Sequence, residues 1–233
     1  MIFENFSVEE VASAFDELQA RRDDGFSAEE ANSEGLTASC DIVSSVLALA
    51  NFNTNGVNYG SYNDGLTVYV TGATDSYVDL SIQSYYITAM NIDASNSSGY
   101  NLLGGNFAHN VILGGAYRNF LWGGNDYVGD TLIGGTGENL FGYGRYQGDD
   151  AILNASSNDG VYLQGLNLSD IVATAVDGNT IGLLFNTGNV LTVACTELQS
   201  PEFMLNDDGI YQYNFLSATW SKVDLNVNAL LSA

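Results

Sequence analysis

"VILGGAYRNFLWGGN", residues 111–125, decides how the chain is read. Within it an apolar triplet runs twice into a glycine doublet. The unit recurs on both sides: Gly104-Gly105, Gly114-Gly115, Gly123-Gly124 and Gly134-Gly135 follow one another at intervals of ten, nine and eleven. "NLL", "VIL", "FLW" and "TLI" lead into them, and a fifth triplet, "NLF", leads into "GYG" at 142–144. Strands of three to five residues joined by tight turns at that interval describe a parallel β-solenoid. An antiparallel meander, the competing topology, needs longer strands with clean alternation.

Upstream, from about residue 56, "LTVYV", "YVDLSI" and "YYITAMNI" arrive at similar spacing. After Asp150 the doublets stop. Longer apolar stretches follow, linked by "DGN", "NTGN" and "NDDG", which is hairpin chemistry. A β cap over 151–216 would close the exposed end of the coil. Residues 1–50 differ from the rest. In "SVEEVASAFDELQARR", Ser7 and Glu10 make a capping box, and Val8, Val11, Phe15 and Leu18 fall on one helical face. Ser27 and Glu30 form a second box with Gly35 as a stop, while "CDIVSSVLALANF" reads as a third helix or a first strand. The expected organisation is therefore mainly β: a helical N-terminal cap over 1–50, a β-roll over 51–150, and the C-terminal β cap.

Composition narrows the partners. There are 28 Asp plus Glu against 5 Lys plus Arg, a net charge of −23, so the chain repels phosphate backbones and anionic bilayers. Nucleic acid is excluded as a partner, and cations are the natural counterparts. No apolar run approaches the roughly 18 residues that span a bilayer, so membrane insertion is not expected. "MIFENFSVEE" lacks a basic region followed by an apolar stretch, so no ordinary signal peptide is visible. Cys40 and Cys195 allow one disulfide or two buried thiols.

The repeat carries a resemblance. "GGTGENLF", from Gly134, resembles the nonapeptide GGxGxDxUx of the RTX (repeats-in-toxin) calcium-binding family, with Gly137 in frame and Asn139 where the family has Asp. "GGAYRNFLW", from Gly114, keeps the frame with Tyr117 for a glycine and Asn119 for the acid. "GGNDYVGDTLI", from Gly123, restores the acid as Asp130 with two extra residues; "GGNFAHNVIL" has Asn110 and one extra. "YGRYQGDDAI" resembles the stretch after the last repeat. The clearest match covers 101–152.

The resemblance implies a roll with two nonapeptides per turn and calcium held between stacked turns. The implied metal residues are Gly114, Gly115, Asn119, Gly123, Gly124, Asp130, Gly134, Gly135, Gly137, Asn139, Asp149 and Asp150, with Asp126 as an extra carboxylate. The U positions Leu121, Leu132 and Leu140 should face the core. Glycine pairs would supply positive φ and inward carbonyls, and calcium takes six to eight oxygens of that kind. Asparagine can instead stack as a hydrogen-bonded ladder with no ion. The resemblance also implies type I secretion directed by an uncleaved C-terminal signal, and "SKVDLNVNALLSA" within 217–233 is similar to one; an ordinary final strand or helix is the alternative.

Catalytic constellations are weak. His109 is the only histidine and sits in a turn, so neither a triad nor a cysteine nucleophile has a base. Asp149-Asp150 and Asp207-Asp208 read as turn acids or calcium ligands, not a glycosidase pair. An EF-hand loop built on Gly25 would need ligands at Ala20 and Ala31, which excludes it. The expected function is a secreted, non-enzymatic calcium-binding β-roll whose folding is coupled to the ion. The alternative is a calcium-independent solenoid that binds a cell-surface glycan or protein.

Overall fold

A computed structural model describes residues 51–52, 57–62, 65–73, 76–79, 90–105, 108–124, 127–206 and 209–223. The helical cap expected over 1–50, Cys40, Asp126 and Asp207-Asp208 lie outside these residues, as does 224–233 of the expected secretion signal. Within the described residues, 51–52 at the end of the ambiguous "CDIVSSVLALANF" stretch is strand.

The fold is mainly β. Its first elements are β1 (Asn51–Phe52), β2 (Val57–Tyr62), β3 (Gly65–Gly72) and β4 (Ser76–Asp79). The short repeat strands are β5 (Met90–Ser97), β6 (Asn101–Gly104), β7 (Val111–Leu113), β8 (Asn119–Trp122), β9 (Thr131–Ile133) and β10 (Asn139–Gly144). β11 (Ala151–Ala155) and β12 (Gly160–Gln164) continue them. The last elements are β13 (Ile171–Asp177), β14 (Thr180–Phe185), β15 (Val190–Cys195), β16 (Gln199–Leu205), β17 (Gly209–Asn214) and β18 (Thr219–Lys222).

The chain winds alternately between two sheets. β4, β6, β8, β10, β12 and β16 stack in parallel as the first sheet. β3, β5, β7, β9, β11 and β15 stack in parallel as the second. This is a β-solenoid, and the antiparallel meander is ruled out through the glycine-doublet region. One rung spans 18 residues from Asn101 to Asn119 and 20 from Asn119 to Asn139. The longer rung carries the two extra residues between β8 and β9, and the strands on either side keep register. Parallel stacking does not end with the doublets at 150: β11 and β12 add a rung, and β15 and β16 add a further strand to each sheet. An apolar stretch after a turn is enough to continue the stack.

Antiparallel pairing appears at the ends. β1 pairs with β4 and β2 with β3. β13 and β14 extend the second sheet beyond β15, while β17 and β18 extend the first beyond β16. The turns read as hairpin chemistry hold left-handed glycines there, Gly178 at φ 60 and Gly188 at φ 91. β18 shows that part of the 217–233 segment is a sheet strand.

The core lies between the sheets. Leu103, Leu121, Phe141, Val161 and Phe203 from the first sheet join Ile92, Ile112, Leu132, Ile152 and Val193 from the second, all buried in one cluster. Leu121 and Leu132 therefore face the core as expected. Leu140 does not: it is level with Phe120 and belongs to a separate cluster on the far side of the first sheet, and Phe141 takes the core position. A one-residue displacement reverses the face of every side chain in a strand.

Candidate functional site

Seven strands in succession are opened or immediately preceded by Asn or Asp: Asn101, Asn110, Asn119, Asp130, Asn139, Asp150 and Asp159. All seven are buried. Because the chain visits the two sheets alternately, winding sorts them into two columns, one at each turn of the coil.

The first column is Asn101, Asn119, Asn139 and Asp159. Asn101 Nδ2 donates to Asn119 Oδ1 at 2.8 Å, Asn119 Nδ2 to Asn139 Oδ1 at 3.0 Å, and Asn139 Nδ2 to Asp159 Oδ1 at 3.1 Å. Each carboxamide also closes its own turn. Asn119 Oδ1 accepts the Gly115 N–H at 2.8 Å while its Nδ2 donates to the Gly115 carbonyl at 3.0 Å. Asn139 repeats this, accepting from Gly135 N–H at 3.0 Å and donating to the Gly137 carbonyl at 2.9 Å. The turn carbonyls that a cation would need are thus engaged by N–H donors. A buried polar group paired in this way escapes its desolvation penalty without an ion.

The glycines serve close approach. A Cβ on Gly137 would overlap the Tyr117 carbonyl, one on Gly135 the Gly115 carbonyl, and one on Gly115 would lie 2.6 Å from the Ser97 carbonyl. A Cβ on Gly114 would lie 2.9 Å from Gly135 N, and one on Gly134 3.0 Å from the Asn154 carbonyl. Positive φ, expected of the doublets, occurs among these metal-candidate glycines at Gly124 alone (φ 140). Stacked turns have no room for side chains, which explains the doublets without special dihedrals.

The second column is Asn110, Asp130 and Asp150. Asp130 Oδ1 accepts the Asn110 backbone N–H at 2.7 Å, and Asp150 Oδ1 accepts that of Asp130 at 2.8 Å. A Cβ on Gly123 would overlap the Asp130 carboxylate, so glycine there makes room for the acid. Two of its three members, Asp130 and Asp150, offer carboxylate oxygens, the donors calcium takes, and Asn110 adds one amide oxygen. This column fits the ion in its chemistry; the asparagine column does not, since amide hydrogens already occupy its carbonyls. Asp149 stands apart, its Oδ1 accepting the Val190 N–H of β15 at 2.8 Å. Among the described residues no three His, Cys, Asp or Glu side chains converge on one point. Asp130 and Asp150 would act with carbonyls, not in a carboxylate cluster.

Other polar groups are structural. Arg118 pairs with Glu138 at 3.0 Å and Arg145 with Asp170 at 2.8 Å. The Asn167 backbone N–H, ahead of Asn186 and Arg145, holds the Asp170 carboxyl below its usual range. His109 is exposed, with Nδ1 against the Gly129 carbonyl. Cys195 is a free thiol whose burial, helped by Glu197 and Asp159, pushes it up to about 12, so it is no nucleophile at neutral pH. Tyr143 is raised by burial and by Asp150 and Asp149, and its hydroxyl donates to the Gly148 carbonyl at 3.0 Å. On the outer face of the second sheet an open groove is lined by Thr67, Asn91, Asp93, Val111, Leu113 and Ile133.

Asp159 links the first column to pH. Burial raises its carboxyl above the usual range despite four hydrogen bonds, two from Asn139 and two from Ser156. The native state therefore keeps this proton at a pH where the unfolded chain has released it. Stability falls as pH rises through that window and recovers on acidification. Taking the protein from pH 7 to about 5 should raise its melting temperature, and Asp159→Asn should gain less over the same interval. Equal gains in calorimetry would contradict this account of Asp159.

Asn101 and Asp159 escaped the motif reading, although each directly precedes or opens an apolar strand as Asn119 and Asn139 do. Among the described residues no helix is long and apolar enough to cross a membrane. No family model, curated protein or solved structure matches the chain.

Proposed function

We propose that this protein is a secreted, non-enzymatic calcium-binding β-roll whose acid column takes the ion, while its asparagine column holds the turns without one. The observation that carries this reading is the stacking of Asp130 and Asp150, both buried, on consecutive rungs of one turn. Neighbouring strands lie about 4.8 Å apart. Two ionised carboxylates at that separation repel by about 3 kcal/mol at an effective dielectric of about 20. A divalent ion between rungs turns that repulsion into attraction, and the net charge of −23 adds a general preference for cations. The resemblance of 101–152 to RTX repeats supports the same reading and brings with it the type I secretion machinery as the export partner.

Folding and binding would be linked. A site loaded at 100 times its dissociation constant adds about 2.7 kcal/mol, or roughly 5–10 °C in a chain of this size. Millimolar calcium against a chelator, followed by circular dichroism through thermal unfolding, should show that rise. Asp130→Asn with Asp150→Asn should remove it. A melting temperature indifferent to calcium in the unaltered chain overturns the reading.

One observation favours the calcium-independent alternative. Tyr117, Tyr127 and Tyr146 stand exposed on the turns, Tyr127 at 78%, with the Tyr127 and Tyr146 rings 6.5 Å apart. Exposed aromatics on a rigid coil suit a glycan or protein surface. Glycan-array binding unchanged by chelator would support that function instead.

A further inference from the structure

The two faces of the solenoid are treated differently. β7 and β9 bury their central residue and leave both flanks half-exposed, as a sheet with one wet face should. In β6, β8 and β10 every residue is buried. Leu121 and Phe141 explain half of that pattern by facing the core. Leu102, Phe120 and Leu140 form one column on the opposite face, and Trp122 stands in the next column between Gly104 and Gly142. Phe120, Trp122 and Leu140 are each 1% exposed. With Met204 and Ile210 they make an apolar cluster separate from the core, flanked by Tyr100, Tyr162 and Val223. Each strand of this sheet pairs only edge to edge, and no described strand is layered over the outer face.

We propose that this outer face is a docking surface for the chain's own N-terminal segment, with residues 7–22 laid across it as an amphipathic helix. The apolar stripe of Val8, Val11, Phe15 and Leu18 would sit on Phe120, Trp122 and Leu140. Chain connectivity favours this occupant. Residues 1–50 lead directly into β1, and the sheet order β1-β4-β6 brings that entry to the end where Leu102 stands. Size agrees as well: a helix over 7–22 is about 24 Å long, and the five strands from β6 to β16 span about 19 Å. The other end of the cluster, at Met204 and Ile210, already has Val223 against it. The first sheet is then the middle layer of a sandwich, and the second sheet carries the face left for partners.

The test uses the full chain with p-benzoylphenylalanine in place of Leu140, prepared as an equal mixture of isotopically light and heavy protein. Photolysis should join position 140 to a peptide within residues 7–22 of the same molecule. Cross-links into 224–233, cross-links between light and heavy chains, or none at all would overturn the proposal. Independently, Val11→Asp with Phe15→Asp in the full chain should at least double acrylamide quenching of tryptophan emission while the β signal in circular dichroism is kept. Quenching unchanged from the unaltered chain would overturn the proposal. Should that double variant fail to fold, the cross-link decides.

Discussion

Asn119→Leu is expected to remove roughly 4 kcal/mol of stability and lower the melting temperature by about 8–16 °C. Asn119 is fully buried and joins four groups at once. Without its carboxamide the buried Gly115 N–H loses its partner outright, and the Gly115 carbonyl, Asn101 Nδ2 and Asn139 Oδ1 each lose one of two. A buried group left without its partner costs about 1–3 kcal/mol, and the transfer free energy of the added leucine, about 1.5–3 kcal/mol, offsets only part of the sum. Asn119→Asp separates the ladder from an ion site. It replaces the donating amide with an oxygen that faces the Gly115 carbonyl and Asn139 Oδ1, so it should also destabilise. That oxygen restores the acid of the RTX-like repeat, and millimolar calcium should return part of the loss for Asn119→Asp and none for Asn119→Leu. Urea unfolding of both variants with and without calcium provides the comparison. Equal calcium responses would refute the distinction between the columns.

Gly137→Ala should be nearly as damaging, at roughly 3 kcal/mol, the upper end of the overpacking range. The added Cβ would overlap the Tyr117 carbonyl on the rung before it. Neither partner can yield alone, because β8 and β10 are paired from Asn119 and Asn139 onward and their spacing is set by backbone hydrogen bonds. Gly182→Ala is the control. Its Cβ would have nothing nearer than 3.9 Å, and the glycine lies in β14 outside the stacked turns. The control should change stability by no more than about 0.5 kcal/mol. Similar losses at both positions would mean that strand propensity, and not the closeness of stacked turns, explains the doublets.

Residues 111–125 show how far local spacing reaches. Three apolar residues and a glycine turn, repeated about every ten positions, leave strands too short for a meander, and the chain does wind into a parallel coil. "DGN" and "NTGN" likewise announce hairpins, because turn chemistry is local and both sequences need a left-handed residue. The polar residue before each triplet is also visible at Asn110, Asn119, Asp130 and Asn139.

Its neighbour above and below is not. Asn119 meets Asn101 and Asn139, not the nearer Asn110, because alternate triplets go to opposite sheets. The choice between Leu140 and Phe141 for the core depends on the same stacking, since both are apolar and adjacent. Composition and short-range spacing thus determined that this acidic chain is a β-coil with glycine turns. Assembly of the rungs decided which Asn and Asp share a column, which amides bond the turn carbonyls, and which sheet is buried on both faces. The reason is separation: those contacts join residues 18 to 20 positions apart, and their register exists only once one rung has settled on the next.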